Sequence, residues 1–411
     1  MSHSAQQVDR PVRRRRVFYI PGYDPIPARR YRELYRKESA AQAAISGYCI
    51  SQNPARTGKR YGWQVQGQID SGDTAADIEV MVWSDIVQDS MEPGIAATYW
   101  LMARTAWTYI ATGALRRLMW LRKGPVIAAL YPIGMLLGQL LLALLVAWAV
   151  GALVAHFLHP WLAWVVALPL IVLILRAFRR IDNRLFAYYL MHDYAYSARL
   201  KGENPPELEA RMAEFADDIA AALASDVDEV LVVGHSSGAH LGVSILADLI
   251  RAKCVPAQRG AQGPALSFLT LGQVVPMVSF LPRAHRLRRD LRDLSVCEAL
   301  TWVDVTAPGD GCAFALCDPV AVSGVAPAGK IWPLVFSAAF TQSLSPARWR
   351  ALRWRFFRLH FQYLCAFDRP KDYDYFKITA GPLTLAARYR DRPPSRSRID
   401  VAASPYTSVS P

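Results

Sequence analysis

The most chemically loaded short stretch of this 411-residue chain is Gly234-His235-Ser236-Ser237-Gly238. Before it lies the apolar, valine-rich run Glu229–Val233, and after it Ala239–Ala252, with apolar positions Leu241, Val243, Ile245 and Leu246. The pattern G-x-S-x-G therefore falls where a strand hands over to a helix. A serine hydroxyl is a weak nucleophile unless a sharp turn exposes it and a neighbouring base takes its proton. Glycines on either side let the backbone pack without Cβ clashes, and the helix that follows points its positive end at developing negative charge. Ser236 is thus the candidate nucleophile of an acyl-transfer reaction, with Gly234 and Gly238 forming its turn. A base within reach must take its proton, and histidine most often does so. His235 and His240 are too near in sequence to reach back to Ser236 and read as local packing, and His285 lies in an arginine-rich helical segment facing solvent.

The elements that would position these groups follow from hydrophobic periodicity. Val17–Ile20 is a short apolar run ending at Pro21-Gly22, the signature of a buried strand. Ala28–Ile45 has helical character, Trp63–Ile69 alternates with period two, and Ile78–Trp83 is a further strand. Pro206–Ala224 reads as an acidic amphipathic helix. Leu266–Leu271 and Leu300–Thr306 read as strands separated by a helix around Arg283–Leu294. Strands alternating with helices predict an α/β fold with a mainly parallel sheet covered on both faces. The tail from Asp391, with Pro393-Pro394 and many serines, is expected to be disordered.

At the strand–G-x-S-x-G–helix junction the chain resembles the α/β-hydrolase fold family of serine esterases and lipases, over about Arg16–Trp83 and Glu229–Pro382. The resemblance implies a catalytic order of nucleophile, acid, histidine. His360 is the one histidine after the expected acid. Asp310, on the loop beyond Leu300–Thr306, is the acid this order favours; Asp318 is the fallback, and Asp304, inside the strand, reads as structural. The family also supplies two oxyanion donors. One is the N–H after the nucleophile, here Ser237. The other follows an early strand, here Tyr23, with Pro21 where a histidine is familiar; the alternative at Pro21-Gly22 is an ordinary turn. The implied reaction is attack of Ser236 on an ester-like carbonyl, with His360 as base, and release of the acyl group by water. Neither a cofactor nor a metal is implied. One departure stands out: cap insertions usually follow a later strand, whereas the apolar insertion here precedes the elbow strand.

That insertion dominates the composition. The chain is 53% hydrophobic and 20% charged with a net charge of +13, which excludes a disordered or collagen-like protein. The apolar excess is concentrated, since Gly124–Leu175 contains no Asp, Glu, Lys or Arg. A bilayer core of about 30 Å takes about 20 helical residues. The run accommodates spans near Tyr131–Ala155 and Trp161–Phe178, broken at His156–Pro160; the alternative is a hairpin buried in a soluble core. Arg116, Arg117, Arg122 and Lys123 precede it, and Arg176, Arg179, Arg180 and Arg184 follow, so the positive-inside rule puts both flanks in the cytoplasm. Pro93–Leu115 has the single charge Arg104 and reads as a helix lying in the interface, or as a third span.

Arginine outnumbers lysine 39 to 8, and clusters at Arg13–Arg16, Arg283–Arg292 and Arg348–Arg358 could contact anionic headgroups or be plain solvated faces. No nucleic-acid-binding module accompanies them. The six cysteines follow no framework spacing and read as reduced thiols, and no secretory signal is visible. The expected organisation is a basic tail (1–15), a first hydrolase-like part (16–92), an interfacial helical segment (93–123), a transmembrane hairpin (124–178), a second hydrolase-like part (179–390) and a disordered tail (391–411). The expected activity is that of a membrane-anchored serine hydrolase of the lipase or carboxylesterase type. A non-catalytic membrane scaffold and an acyltransferase using the same residues are the alternatives.

Overall fold

The computed structural model describes residues 11–23, 27–54, 60–89, 94–255 and 263–411. The first ten residues of the expected basic tail, and positions 90–93 at the expected boundary, lie outside the described residues. Among the described residues eight strands make one mixed sheet: β1 (Arg14–Ile20), β2 (Cys49–Pro54), β3 (Gly62–Ile69), β4 (Gly72–Val80), β5 (Glu229–His235), β6 (Ala265–Leu271), β7 (Leu300–Thr306) and β8 (Leu334–Ser337). Their spatial order is β2-β3-β4-β1-β5-β6-β7-β8. The pairs β4–β1, β1–β5, β5–β6, β6–β7 and β7–β8 are parallel, and β2–β3–β4 is an antiparallel meander on one edge. The carboxyl ends of β1, β5, β6 and β7 therefore open on the same side, where loops of a parallel sheet ordinarily carry ligand-handling groups.

Period-two alternation sorts the strand residues onto two buried faces. Val17, Tyr19, Leu231, Val233, Val303 and Val305 pack on one, against α1 (Ala28–Ser46) and the segment around Tyr363–Tyr375. Phe18, Ile20, Val230, Val232, Phe268 and Trp302 pack on the other, against three helices that follow the apolar insertion. Helices thus cover both faces, as the alternation predicts.

The insertion occupies the β4–β5 connection. After α2 (Ile95–Ala111) and α3 (Ala114–Leu121) come two long helices, α4 (Lys123–Phe157) and α5 (Pro160–Arg180), both long and apolar enough to cross a membrane. Pro160 starts α5, and the exposed His159 accepts from the Trp161 N–H, so the break falls where the sequence places it. The pair packs through small residues: Ala143, Ala147 and Gly151 are buried one turn apart, and Gly151 faces Ala163 and Ala167. Without side chains of any bulk at these positions the two backbones approach closely. At 35 residues, α4 is about 52 Å long, more than a bilayer core. Its first turns pack on the domain instead, burying Val126 and Leu136; the Tyr99 hydroxyl donates to the Leu136 carbonyl at 2.8 Å. α2 has 17 residues and packs on α4 and on α6 (Ala187–Arg199), while leaving Trp100 and Trp107 exposed. Further helices include α7 (Pro206–Leu223), α8 (Gly238–Arg251), α9 (His285–Ser295), α10 (Pro346–Leu352), α11 (Phe356–His360) and α12 (Tyr375–Ala380).

Three expectations need correction. The tail from Asp391 is packed, not disordered: the Ser395, Ile399 and Ala403 N–H groups donate to Val335, Leu316 and Val322 carbonyls, and Ala403 is buried. Its prolines and serines follow an extended path that satisfies its backbone on the domain. The Arg13–Arg16 cluster is not a free basic tail, because β1 begins at Arg14. Arg14 pairs with Asp226 and Arg16 with Glu79, while Arg15 is fully buried. Its Nε donates to Glu229 at 2.6 Å and its other nitrogens to the Gly381 and Leu383 carbonyls; Glu229 also accepts from Ser267 Oγ and the Leu385 N–H. Such a fully hydrogen-bonded ion pair leaves neither charge uncompensated. Finally, the Arg283–Arg292 cluster is largely consumed internally: Arg283 pairs with Glu203, Arg286 with Glu209 and Asp248, and buried Arg288 donates to four backbone carbonyls.

Candidate active site

Ser236 sits between β5 and α8 with φ at 55°, a left-handed backbone that non-glycine residues adopt only when their surroundings enforce it. Here the enforcement is visible. The Ser236 N–H donates to the Leu271 carbonyl at 2.9 Å, tying the turn to β6. A Cβ at Gly238 would meet the Ile20 carbonyl oxygen at 2.1 Å, and one at Gly234 would meet Ala239 Cα at 2.7 Å. The turn is therefore wedged against the end of β1, and both glycines of the motif are required by contact. Ser236 itself is half-buried at the carboxyl edge of the sheet.

His360 and Asp310 meet as the sequence order implies. His360 Nδ1 lies 2.7 Å from Asp310 Oδ2, with both side chains buried. Asp310 is held on the β7 loop by its own N–H to the Ala307 carbonyl, and Oδ1 accepts from the Cys312 N–H at 2.9 Å. Tyr363 adds a second donor to Oδ2 at 3.0 Å; burial and the neighbouring carboxylate hold this phenol well above its ordinary pKa, so it remains a donor. With Nδ1 donating to the carboxylate, the basic lone pair of His360 is on Nε2. That atom is buried and has no hydrogen-bond partner among the described residues, so Ser236 Oγ does not bond to it in this state. Catalytic contacts often tighten only when substrate arrives.

His235 supplies the floor. Its ring stacks on His360 with centroids 4.9 Å apart, and its Nε2 lies 3.1 Å from the His360 carbonyl. A carbonyl only accepts, so Nε2 carries the proton and Nδ1 faces the Tyr19 hydroxyl at 3.2 Å. Burial, then the adjacent His360, push His235 down to about 3, which makes it a neutral support rather than a second base. On the opposite side a Cβ at Gly272 would come within 3.0 Å of His360 Cε1. Gly272 follows Leu271, the residue that anchors the Ser236 turn, so Ser236 and His360 share one edge of β5 and β6.

The loop after β1 closes the site. A Cβ at Gly22 would lie 2.9 Å from Ser236 Cβ and 3.3 Å from its Oγ, so only glycine permits this approach. Trp83 Nε1 donates to the Pro21 carbonyl, Tyr189 donates to the Tyr23 carbonyl, and the buried Tyr23 ring packs on Trp83, Tyr189 and Tyr196. Ser237 opens α8, and its N–H makes no hydrogen bond among the described residues. Beside it lies a cavity of about 10 Å³, room for one water, lined by Trp83, Tyr196, Asn204, Ser237 and His240 among others.

The other sequence candidates fall elsewhere. Asp318 caps a short turn through the Val320 and Ala321 N–H groups and pairs with Lys330 at 2.5 Å, so it does not serve His360. Asp304 is buried in β7 against Thr270, and burial pushes it up to about 8. His285 bonds Arg288. Cys312 Sγ stands within 4.8 Å of ligand atoms of Asp310 and His360, whose Nδ1 is engaged with the carboxylate; burial raises the thiol well above the ordinary value. His235 packs locally as its position predicts, with its ring under His360, whereas Tyr363, a tyrosine three residues beyond a histidine, carries no sequence signal. Searched as a whole, the chain matches no family model, no curated protein and no solved structure.

Proposed function

We propose that this chain is a membrane-anchored serine hydrolase of the α/β-hydrolase kind, cleaving an ester-like acyl substrate. The observation that carries the proposal is the convergence of a serine on a left-handed strand-to-helix turn and a buried Asp310–His360 pair on one edge of a parallel sheet. In the reaction, His360 Nε2 takes the proton of Ser236 Oγ as the oxygen attacks the acyl carbonyl. The N–H groups of Ser237 and Tyr23 receive the oxyanion, and His360 returns the proton to the departing alcohol. Water then attacks the acyl-enzyme with His360 again as base, releasing the acid. Asp310 orients the ring and stabilises its charged form. The apolar α4–α5 hairpin anchors the domain in a bilayer, and its arginine-rich flanks favour a cytoplasmic active site facing substrate drawn from that bilayer.

Membranes bearing the full chain are expected to label with a fluorophosphonate probe, and Ser236→Ala or His360→Ala to abolish labelling, a loss of at least about 10⁴-fold in rate. A folded wild-type protein that does not label would overturn the enzyme reading. A reporter fused at Leu158 should respond from the non-cytoplasmic side.

A further inference from the structure

Of the three arginine clusters, two are largely spent on internal partners, Arg289 and Arg292 of the second excepted, and one is not. In the stretch Pro346–His360 there is no acidic residue. Arg348 approaches Glu38 at 3.7 Å, but Arg350, Arg353, Arg355 and Arg358 form no ion pair among the described residues. Interleaved with them, Trp354 is 73% exposed, and Phe356 and Phe357 are each more than 40% exposed. A soluble face has no use for this combination, since exposed aromatics cost solvation and unpaired arginines repel one another. At a bilayer surface both are favourable: aromatic rings settle at the headgroup level, and each arginine is drawn to anionic lipid.

The position of the segment strengthens this. Phe356 covers Gly311, which Gly124 at the start of α4 touches from another side. The Phe357 ring lies 6.4 Å from that of Phe186, six residues beyond the end of α5 and itself exposed. The basic-aromatic segment is therefore continuous with the root of the hairpin at both of its ends. It also leads directly into His360, and Trp349 packs over Gly309 beside Asp310.

We propose that Pro346–Arg358 is a second membrane contact, docking on the anionic headgroups of the bilayer that holds α4 and α5. The proposal rests on the hairpin's crossing that bilayer. It sets the His360–Asp310 side of the site against the membrane surface, where an acyl substrate arrives with its headgroup.

The test uses the full chain in vesicles. An environment-sensitive fluorophore is placed at Trp354→Cys in a Cys49→Ser/Cys254→Ser background, both native thiols being exposed; the same background without the new cysteine gives the blank. Vesicles contain a nitroxide-headgroup lipid as quencher, with phosphatidylcholine alone or with phosphatidylglycerol added. Strong quenching is expected with phosphatidylglycerol, weaker quenching without it or in high salt. The docked-to-undocked ratio should drop roughly fivefold for each of Arg353→Gln, Arg355→Gln and Arg358→Gln, with an unchanged unfolding midpoint excluding misfolding. Protein that floats with vesicles under alkali but leaves the probe unquenched overturns this proposal alone. Protein that fails to float overturns the hairpin reading and this proposal with it. A probe that stays in water on phosphatidylglycerol yet responds to added single-stranded RNA overturns it in favour of nucleic-acid phosphate.

Discussion

The β5–α8 unit and the α4–α5 hairpin are both apolar, yet they treat water in opposite ways. Along β5 every residue is buried, and Val232 and Leu241 are wholly inaccessible. Along the hairpin, Leu141 is 58% and Trp148 73% exposed, although no charged residue interrupts the run. A soluble protein does not leave so large a contiguous apolar surface uncovered. Hydrophobicity alone thus does not say where a segment goes. In the first region side chains find other side chains; in the second the small-residue seam and the first turns of α4 do, and the remaining outer faces stay exposed.

The sharpest way to break this contrast is to place the same charge in each region. Val232→Asp buries a carboxylate with no partner and should cost more than about 4 kcal/mol, enough to abolish cooperative thermal unfolding of the domain. Leu145→Asp should leave that transition in place and instead reduce the alkali-resistant membrane fraction, by an insertion cost of about 2.5–3.5 kcal/mol. Equal damage to the unfolding transition from both would mean that the hairpin belongs to the soluble core.

A glycine pair gives a smaller contrast. Gly238→Ala drives a methyl group into the Ile20 carbonyl and should cost about 1–3 kcal/mol while extinguishing fluorophosphonate labelling. At Gly138, among the described residues, nothing beyond the local helix backbone lies within 4 Å of the added carbon, so Gly138→Ala should be neutral or stabilise α4 by up to about 1 kcal/mol. Retained labelling in Gly238→Ala would show that the turn is looser than its contacts indicate.

Proton uptake makes the gentlest probe. Burial lowers His235 to about 3 and His240 to about 4, whereas His156 and His159 are exposed in the hairpin turn. The unfolded chain binds protons at both buried positions near the usual value of about 6.5, and the folded chain does not. Stability from these two groups is complete above that pH and falls as the solution is acidified. About 2 kcal/mol should be lost between pH 6 and pH 5, until the folded values are reached. Asp304, pushed up to about 8, gains stability over the same range, so the check is the difference in denaturant midpoint between wild type and His240→Gln; a difference that stays flat from pH 7 to 5 would contradict burial of His240 as a neutral ring.

Much of the architecture was legible because burial on both faces writes itself as valine-rich runs. β5, β6, β7 and α8 fall within a residue or two of their predicted limits, and the hairpin break falls at Pro160. β2 escaped because Cys49–Pro54 is an exposed edge strand with no apolar alternation, and β8 because four residues are too few to show a period. Among the site residues, Ser236 announces itself through two glycines whose need is local. Asp310 and His360 carry no such mark and depend on the order implied by a family resemblance. Tyr363 and His235 act through contacts between distant segments, which no short pattern encodes. The tail and two arginine clusters misled for one reason: composition reports what a segment could do in water, not which partners the fold has waiting.

Placing the hairpin in the middle of the chain also sets a schedule. β1 must pair with β5, and the buried Arg15–Glu229 contact that fixes their register spans 214 positions. At about 5–20 residues per second, synthesis takes on the order of 10–40 s to deliver the second partner. For that interval β1 to β4 have no β5 to pair with, while α4 and α5, both long and apolar enough to cross a membrane, are already made. With the hairpin as the proposed anchor, attachment precedes the synthesis of Ser236, and the sheet closes around a chain already held at its membrane.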